Sequence, residues 1–245
     1  MTEWEHPAAW YDLMNPWGRD DEFYLRLVMS ADRVLDVGCG TGRLLHRARA
    51  AGHSGRLCGL DPDPMMLGQA RVRSDIEWVL ADAASAASGR ERGFDLAVMT
   101  GHAFQALISD EEVRSGLKGI SGALAEAGRF AFHTRHPQAR AWDGWNTSVQ
   151  VAGPGGAVAR VSYRVHEVAG DVVRLSETYE GPWWDRPLAE HGALRFLGPS
   201  RLAEFLREAG LTVERQFGGW DEGPLTDASD EIITIARRAE PGGTG

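Results

Sequence analysis

Between Arg33 and Arg43 the sequence reads RVLDVGCGTGR, and this stretch restricts the chain to few architectures. Val34, Leu35 and Val37 make an apolar run too short for a helix and rich in strand formers, which reads as a buried strand. Gly38, Gly40 and Gly42 follow at every second position, and Leu44, Leu45, Ala48 and Ala51 then fall at helical spacing. Strand, glycine turn and helix in that order make a geometry that receives a phosphate or a nucleoside. Glycine lets the backbone take positive φ and lets a ligand lie against bare main chain. The helix start beyond offers free N–H groups. The third glycine comes one residue early for the dinucleotide pattern G-x-G-x-x-G, and no Gly-Lys-Ser/Thr follows to make a phosphate loop.

What remains is Asp-x-Gly-x-Gly-x-Gly, with Asp36 inside the strand. This resembles motif I of the class I S-adenosylmethionine-dependent methyltransferases. The resemblance implies that the loop wraps the methionine part of the cofactor and that Asp36 anchors its amino end, directly or through water. The downstream sequence agrees. A second apolar run, Arg56 to Leu60, ends at Asp61-Pro62, and Asp63-Pro64 suit the N-cap and first position of a helix. An acid at the end of the second strand is placed to accept hydrogen bonds from both ribose hydroxyls. A third run, Ile76 to Leu80, ends in Ala81-Asp82-Ala83. There the family sets an Asp on the exocyclic amine of adenine and a small residue near the ring. Met65 and Met66 stand where family members pack the adenine face, although core packing suits either equally well. The implied cofactor is S-adenosyl-L-methionine, leaving as S-adenosyl-L-homocysteine. Its expected contacts are Asp36, Gly38, Gly40, Gly42, Asp61, Pro62, Met66, Asp82, Ala83 and Thr100.

The rest of the chain is consistent with one domain of 245 residues. No run approaches the roughly 20 apolar residues of a membrane span, and no basic-then-apolar leader is seen, so a cytoplasmic location is the default reading. The net charge of −9 argues against a general nucleic-acid binder. Cys39 and Cys58 read as reduced small fillers, and no His, Cys or carboxylate spacing indicates a metal site. Residues 1–30 form an N-terminal helical cap, from which the resemblance brings Trp10 and Tyr11 to the wall of a substrate pocket. Tying the arm to the core is an equal reading of these aromatics.

Residues 31–137 read as the cofactor-binding core. Phe94 to Met99 is a fourth strand, ending in Thr100-Gly101-His102. Ser109 to Glu112 is a capping box, opening a helix with Val113, Leu117, Ile120 and Leu124 on one face and Gly128 at its end. Arg129 to His133 gives a fifth strand. After Pro137 the pattern changes to alternating segments, with Val161, Tyr163 and Val165, then Val173, Leu175 and Tyr179. A further strand is expected at Ala193 to Leu197, then a helix at Ser200 to Ala209 and closing strands near 211–217 and 231–237. The expected fold is α/β: a Rossmann-like, doubly wound, mostly parallel seven-stranded sheet. An antiparallel insertion, residues 138–197, lies between its fifth strand and last helix and covers the substrate; residues 198–238 close the sheet and 239–245 form a flexible tail.

Methyl transfer is an in-line displacement at a carbon activated by positive sulfur, so desolvation and alignment contribute much. A base is needed only where the nucleophile must lose a proton. His102, His133 and His136 stand at or just after the ends of strands four and five and are the candidates for that role. Arg135, Trp183 and Trp184, with Trp10, Tyr11 and His102, are the candidates for holding substrate. The expected activity is methyl transfer to N, O or C of a small molecule such as a natural product, by a monomer or homodimer. A protein or tRNA acceptor, or a non-catalytic S-adenosylmethionine-binding protein, are the alternative readings. The segment after Met99 lacks the Asn/Asp-Pro-Pro-Tyr/Phe signature of amino-methylating nucleic-acid enzymes, and no Pro-Cys dipeptide of cytosine C5 enzymes is present.

Overall fold

A computed structural model describes residues 3–88 and 93–239. The expected tail, from Glu240 onward, and residues 89–92 of the connection after the third strand lie outside the described residues. Two helices, α1 (Tyr11–Met14) and α2 (Arg19–Met29), open the chain. The strand-helix units follow as β1 (Arg33–Val37), α3 (Arg43–Ala50), β2 (Arg56–Asp61), α4 (Pro64–Ala70) and β3 (Glu77–Leu80). Next come β4 (Phe94–Met99), α5 (Asp110–Ala123) and β5 (Leu124–Arg135). The inserted strands are β6 (Thr147–Ala152), β7 (Val158–Ala169), β8 (Val172–Glu180) and β9 (Leu188–Arg195). The chain closes with α6 (Pro199–Glu208), β10 (Leu211–Phe217) and β11 (Glu231–Arg238).

The main sheet has the order β10-β11-β5-β4-β1-β2-β3, parallel except that β11 runs against both neighbours. The chain winds outward from β1 through β2 to β3, then returns to β4 on the other side of β1. Ligands of doubly wound folds gather at such a reversal, outside the carboxyl ends of the strands. Alternation along β1 sends Leu35 and Val37 to one face, against α5 and α6, and Val34 to the other, against α2 and α3. Phe130 and Phe132 stack at 4.8 Å in the first of these cores. Truncating Phe132 to Ala there would cost about 3–5 kcal/mol.

Local chemistry starts the helices where the sequence indicates. Asp63 accepts from the Met65 N–H at 2.7 Å, with Pro64 as the first helical residue. Ser109 Oγ accepts from the Glu112 N–H at 3.1 Å while the Glu112 carboxylate accepts from the Ser109 N–H at 2.7 Å. The end of α5 differs from expectation. The helix stops at Ala123, and Leu124 pairs with Phe94 as the start of β5. The register then shifts, so residues 125–128 bulge out before Arg129 meets Leu96, and Ala127 takes φ 57°. Gly128 permits a close backbone approach: a Cβ there would lie 2.8 Å from the Phe94 carbonyl oxygen.

The second sheet, β6-β7-β8-β9, is wholly antiparallel. It occupies the insertion between β5 and α6. Its last strand starts five residues before the expected Ala193, at Leu188. Gly192 and the polar residues around it hide the alternation of this edge strand from a sequence reading.

Candidate active site

The cavity at the reversal of the main sheet has a volume of about 530 Å3 and is lined by the ends of β1, β2 and β4. The glycine loop is pinned to β2, because the N–H groups of Gly38 and Cys39 both donate to the Leu60 carbonyl, at 2.8 and 3.0 Å. The Gly40 N–H donates to Asp61 Oδ2 at 2.8 Å, and the Asp63 N–H donates to Asp61 Oδ1 at 2.9 Å. Gly40 has φ 55°, and a Cβ built on it would meet nothing within 4 Å, so bare backbone faces open space. Gly42 differs. A Cβ there would fall 2.4 Å from the Trp78 ring, and Gly42 does not line the cavity. Its positive φ and the Trp78 contact account for the glycine.

Asp36 is 1% exposed, lines the cavity, and has no hydrogen-bond partner at Oδ1. Burial, with the Asp61 charge adding to it, pushes its carboxyl up to about 7. A buried acceptor left without a donor is costly. An ammonium on a bound ligand would satisfy it. The residues present therefore fit the expected cofactor: an acceptor for an amino group at Asp36, an open glycine cradle, and a carboxylate at the end of β2.

Residues of the N-terminal segment latch onto this loop. Thr41 Oγ1 donates to both oxygens of Asp12, at 2.9 and 3.1 Å. Arg43 donates to both oxygens of Asp21 at 2.9 Å and also to the Asn15 carbonyl. Burial raises the Asp21 carboxyl, while the Gly18 N–H and Arg43 work in the opposite direction. The segment thereby closes one side of the cavity and sets Tyr11 at its edge. Burial pushes the Tyr11 hydroxyl upward as well.

A second cavity, about 520 Å3, lies between the N-terminal segment and one face of the antiparallel sheet. Tyr11, Asp63, Met66 and Gly101 line both cavities and join them. Of the residues expected at the cofactor, Asp61, Pro62, Asp82, Ala83 and Thr100 also line the first cavity. Asp82 is occupied as a cap, accepting from the Ser85 N–H at 2.9 Å. Arg135 lines the second cavity, stacked on Trp145 at 5.1 Å.

Other expected site residues lie elsewhere. Trp10 is wholly buried, 4.5 Å from Trp183 and 5.6 Å from Trp184 between ring centres, and none of the three lines either cavity. Their indole N–H groups are also used structurally, Trp10 donating to the Trp4 carbonyl and Trp184 to the Glu5 carbonyl. These tryptophans clasp the N-terminal segment to the insertion.

The three histidines are likewise behind the walls. His102 Nε2 donates to Glu231 Oε1 at 2.9 Å, His133 Nδ1 shares a hydrogen bond with the Tyr24 hydroxyl at 2.8 Å, and His136 Nδ1 accepts from the Gln138 N–H. None of them lines either cavity. Burial, with Arg135 adding to it, pushes His102 down to about 3, and burial also holds His133 well below its usual range. A base that weak gains little by taking a proton at neutral pH. His102, His133 and Glu231 do come together from three distant segments, with donor atoms within 4.8 Å of one another. Within this group His102 Nε2 is bonded to the Glu231 carboxylate, while His133 Nδ1 meets Tyr24 instead.

Comparison with known proteins agrees with this geometry. Residues 34–128 match the family model of the methyltransferase domain. That segment is similar to a methyltransferase domain. No curated protein matches the chain by sequence. The fold is shared with solved structures along nearly its whole length. A sugar N-methyltransferase from Streptoalloteichus sp is 20% identical, with TM-score 0.77, covering 95% of this chain and 92% of that one. An S-adenosylmethionine-dependent methyltransferase from Clostridium acetobutylicum is 14% identical, with TM-score 0.76 and coverage of 95% and 97%. An amino pentose methyltransferase of calicheamicin biosynthesis from Micromonospora echinaspora, solved with S-adenosylmethionine bound, is 22% identical, with TM-score 0.73 and 98% coverage of both chains.

Sequence reasoning missed Glu177, Glu190 and Tyr163, which line the second cavity. A signal was present for Glu177: an acid interrupts the alternating row Val173, Leu175, Tyr179 at the position where an apolar residue is due. The Asp12–Thr41 and Asp21–Arg43 contacts carried no such signal, since each joins residues more than 20 positions apart.

Proposed function

We propose that this methyltransferase domain transfers a methyl group from S-adenosylmethionine to a small molecule held in the second cavity. The observation that carries the reading is Asp36, a buried carboxylate with an unpartnered oxygen beside the open backbone of Gly40. In this reading Asp36 receives the amino group of the cofactor, Asp61 the ribose hydroxyls, and Asp82 and Met66 the adenine. The cofactor supplies a methyl group already activated by positive sulfur. Tyr11 and Gly101, which line both cavities, border the passage where acceptor and methyl carbon meet. The chain contributes by alignment and by excluding water; the low basicity of His102 and His133 fits that emphasis.

The size of the second cavity supports a small acceptor, since pockets for such ligands run to about 300–1,000 Å3. The sugar acceptors named for two of the similar structures favour the same class. The insertion, residues 138–197, acts as the roof of the acceptor site in one methyltransferase unit. Among the described residues, no helix is long and apolar enough to cross a membrane. The test is calorimetric binding of S-adenosylhomocysteine, followed by transfer of labelled methyl groups across amine, hydroxyl and carbon acceptors. Absence of cofactor binding by the folded protein would overturn the proposal; binding without transfer across the panel would favour the non-catalytic reading.

A further inference from the structure

A continuous row of side chains crosses the antiparallel sheet and lines the second cavity. Thr147 on β6 pairs with Tyr163 on β7, Tyr163 with Glu177 on β8, and Glu177 with Glu190 on β9. The last pair sets two carboxylates directly opposite each other, an arrangement that destabilises a sheet unless positive charge comes between them. Elsewhere the chain matches its acids with arginines, as in Glu208 with Arg114, Glu214 with Arg129 and Asp110 with Arg195. Among the described residues, Glu177 and Glu190 have no ion-pair partner within 4.0 Å.

The surroundings of the pair are built for an occupant. Tyr179 donates its hydroxyl to Glu177 Oε2 at 2.8 Å, fixing that carboxylate on the cavity wall. Tyr163, Tyr179 and Trp145 add aromatic faces to the same cavity. Aromatic faces attract cations where carboxylates have already drawn them. Among the described positive groups facing the cavity, His6 acts on Glu190, and no arginine pairs with either acid. Arg135 donates to Gln105 Oε1 at 3.2 Å and feels the opposing charge of Glu231, while Asp63 adds a third negative group. His6 faces the cavity with its Nδ1 already accepting from the Ala8 N–H.

We infer that the acceptor of this enzyme carries a cationic amine, and that Glu177 and Glu190 hold its ammonium while the aromatic rings pack its body. This rests on the proposed methyltransferase reading and narrows it to one substrate class. Burial raises the Glu190 carboxyl, His6 pulls it the other way, and the Glu177 charge and Asp63 raise it further. An ammonium bound there relieves that repulsion. Neutral alcohols of the same shape leave it in place.

The test uses matched amine and alcohol pairs: benzylamine with benzyl alcohol, tyramine with tyrosol, and glucosamine with glucose. Each is titrated calorimetrically at neutral pH into the full chain, with and without saturating S-adenosylhomocysteine. In at least one pair the amine binds ten times more tightly or better than its alcohol, and the preference disappears in E177Q/E190Q. Glu177 and Glu190 do not line the first cavity, so S-adenosylhomocysteine binds the variant as it binds the wild type. The single variant E190Q, at an exposed position, loses most of the preference and serves if the double variant folds poorly. Lack of amine preference in all three pairs, or a preference unchanged in the glutamine variants, overturns the inference. Failure of S-adenosylhomocysteine to bind strikes the underlying methyltransferase reading instead, and the titrations without it still decide the amine question.

Discussion

The carboxylate of Asp61 accepts a hydrogen bond from the backbone N–H of Gly40 at 2.8 Å, so the end of β2 holds the glycine loop in place. The same side chain accepts from the Asp63 N–H and thereby also shapes the start of α4. Asp61→Ala removes both contacts together with the proposed acceptor of the ribose hydroxyls. S-Adenosylhomocysteine affinity should fall by about 1–3 kcal/mol. Asp61→Asn keeps one oxygen acceptor and should lose less. Calorimetry on variants with native melting curves checks both, and unchanged affinity in Asp61→Ala would remove this residue from the cofactor site.

Asp36 makes stability and binding depend on pH in opposite ways. Its carboxyl has an ordinary value of 3.8 and rises to about 7 in the fold, chiefly through burial. Between those values the folded state holds the extra proton, so stability of the ligand-free protein falls as pH rises from about 4 to 7. Asp36→Asn abolishes this dependence and should be more stable than the wild type at pH 8, by roughly 1–3 kcal/mol. The cofactor needs the ionised form to pair with its ammonium. Wild-type affinity should therefore weaken below pH 7, by up to about tenfold per pH unit, and the Asn variant should bind weakly throughout. Melting curves and titrations from pH 5 to 8 read both trends; a wild-type affinity flat across that range would mean Asp36 does not meet the ammonium.

Gly40 and Gly42 have similar backbone angles, φ 55° and 74°, but different neighbours. A side chain at Gly40 enters the open cavity, while one at Gly42 collides with Trp78. Gly40→Val should abolish cofactor binding and leave most of the fold, apart from roughly 1–3 kcal/mol of backbone strain. Gly42→Val should damage the fold itself, because the ring of Trp78 must move. Circular dichroism beside calorimetry separates the two. Equal losses of stability, with cofactor binding retained in Gly40→Val, would contradict the assignment of the loop.

These glycines also show what the sequence made legible. The loop, the acids after each of the first three strands, and the helix caps at Asp63 and Ser109 depend on short-range rules, and spacing alone exposes them. Pairing across the chain is another matter. Leu124 reads as the last apolar position of a helix, yet Phe94 captures it as a strand residue thirty positions away. His102 and His133 stand at the ends of the right strands, but His102 Nε2 meets Glu231, His133 Nδ1 meets Tyr24, and neither residue lines a cavity. The tryptophans make a related case. Composition shows that they cluster outside the cofactor core, whereas only the fold shows that Trp10, Trp183 and Trp184 pack against one another.

That clasp yields the last prediction. Trp183 stands edge-on to Trp10, and Trp184 donates its indole N–H to the Glu5 carbonyl at 2.8 Å. Gly153 allows the two rings to meet: a Cβ there would fall 2.5 Å from Trp10 and 2.7 Å from Trp183. Replacing Trp183 and Trp184 by Ala leaves a large void against the buried Trp10, and each truncation costs about 3–5 kcal/mol in a well-packed setting. The two losses overlap, because both rings lean on the same neighbour. Much of the effect should appear as local release of the N-terminal segment. Its contacts Asp12–Thr41 and Asp21–Arg43 would then loosen, so cofactor affinity should fall although neither tryptophan lines the first cavity. The measurements are a melting curve, the rate of proteolysis within residues 3–30, and S-adenosylhomocysteine titration. A variant with unchanged melting and an N-terminal segment as resistant as the wild type would show that the rings do not fasten it. Loss of acceptor binding with full stability would return Trp183 and Trp184 to the substrate pocket.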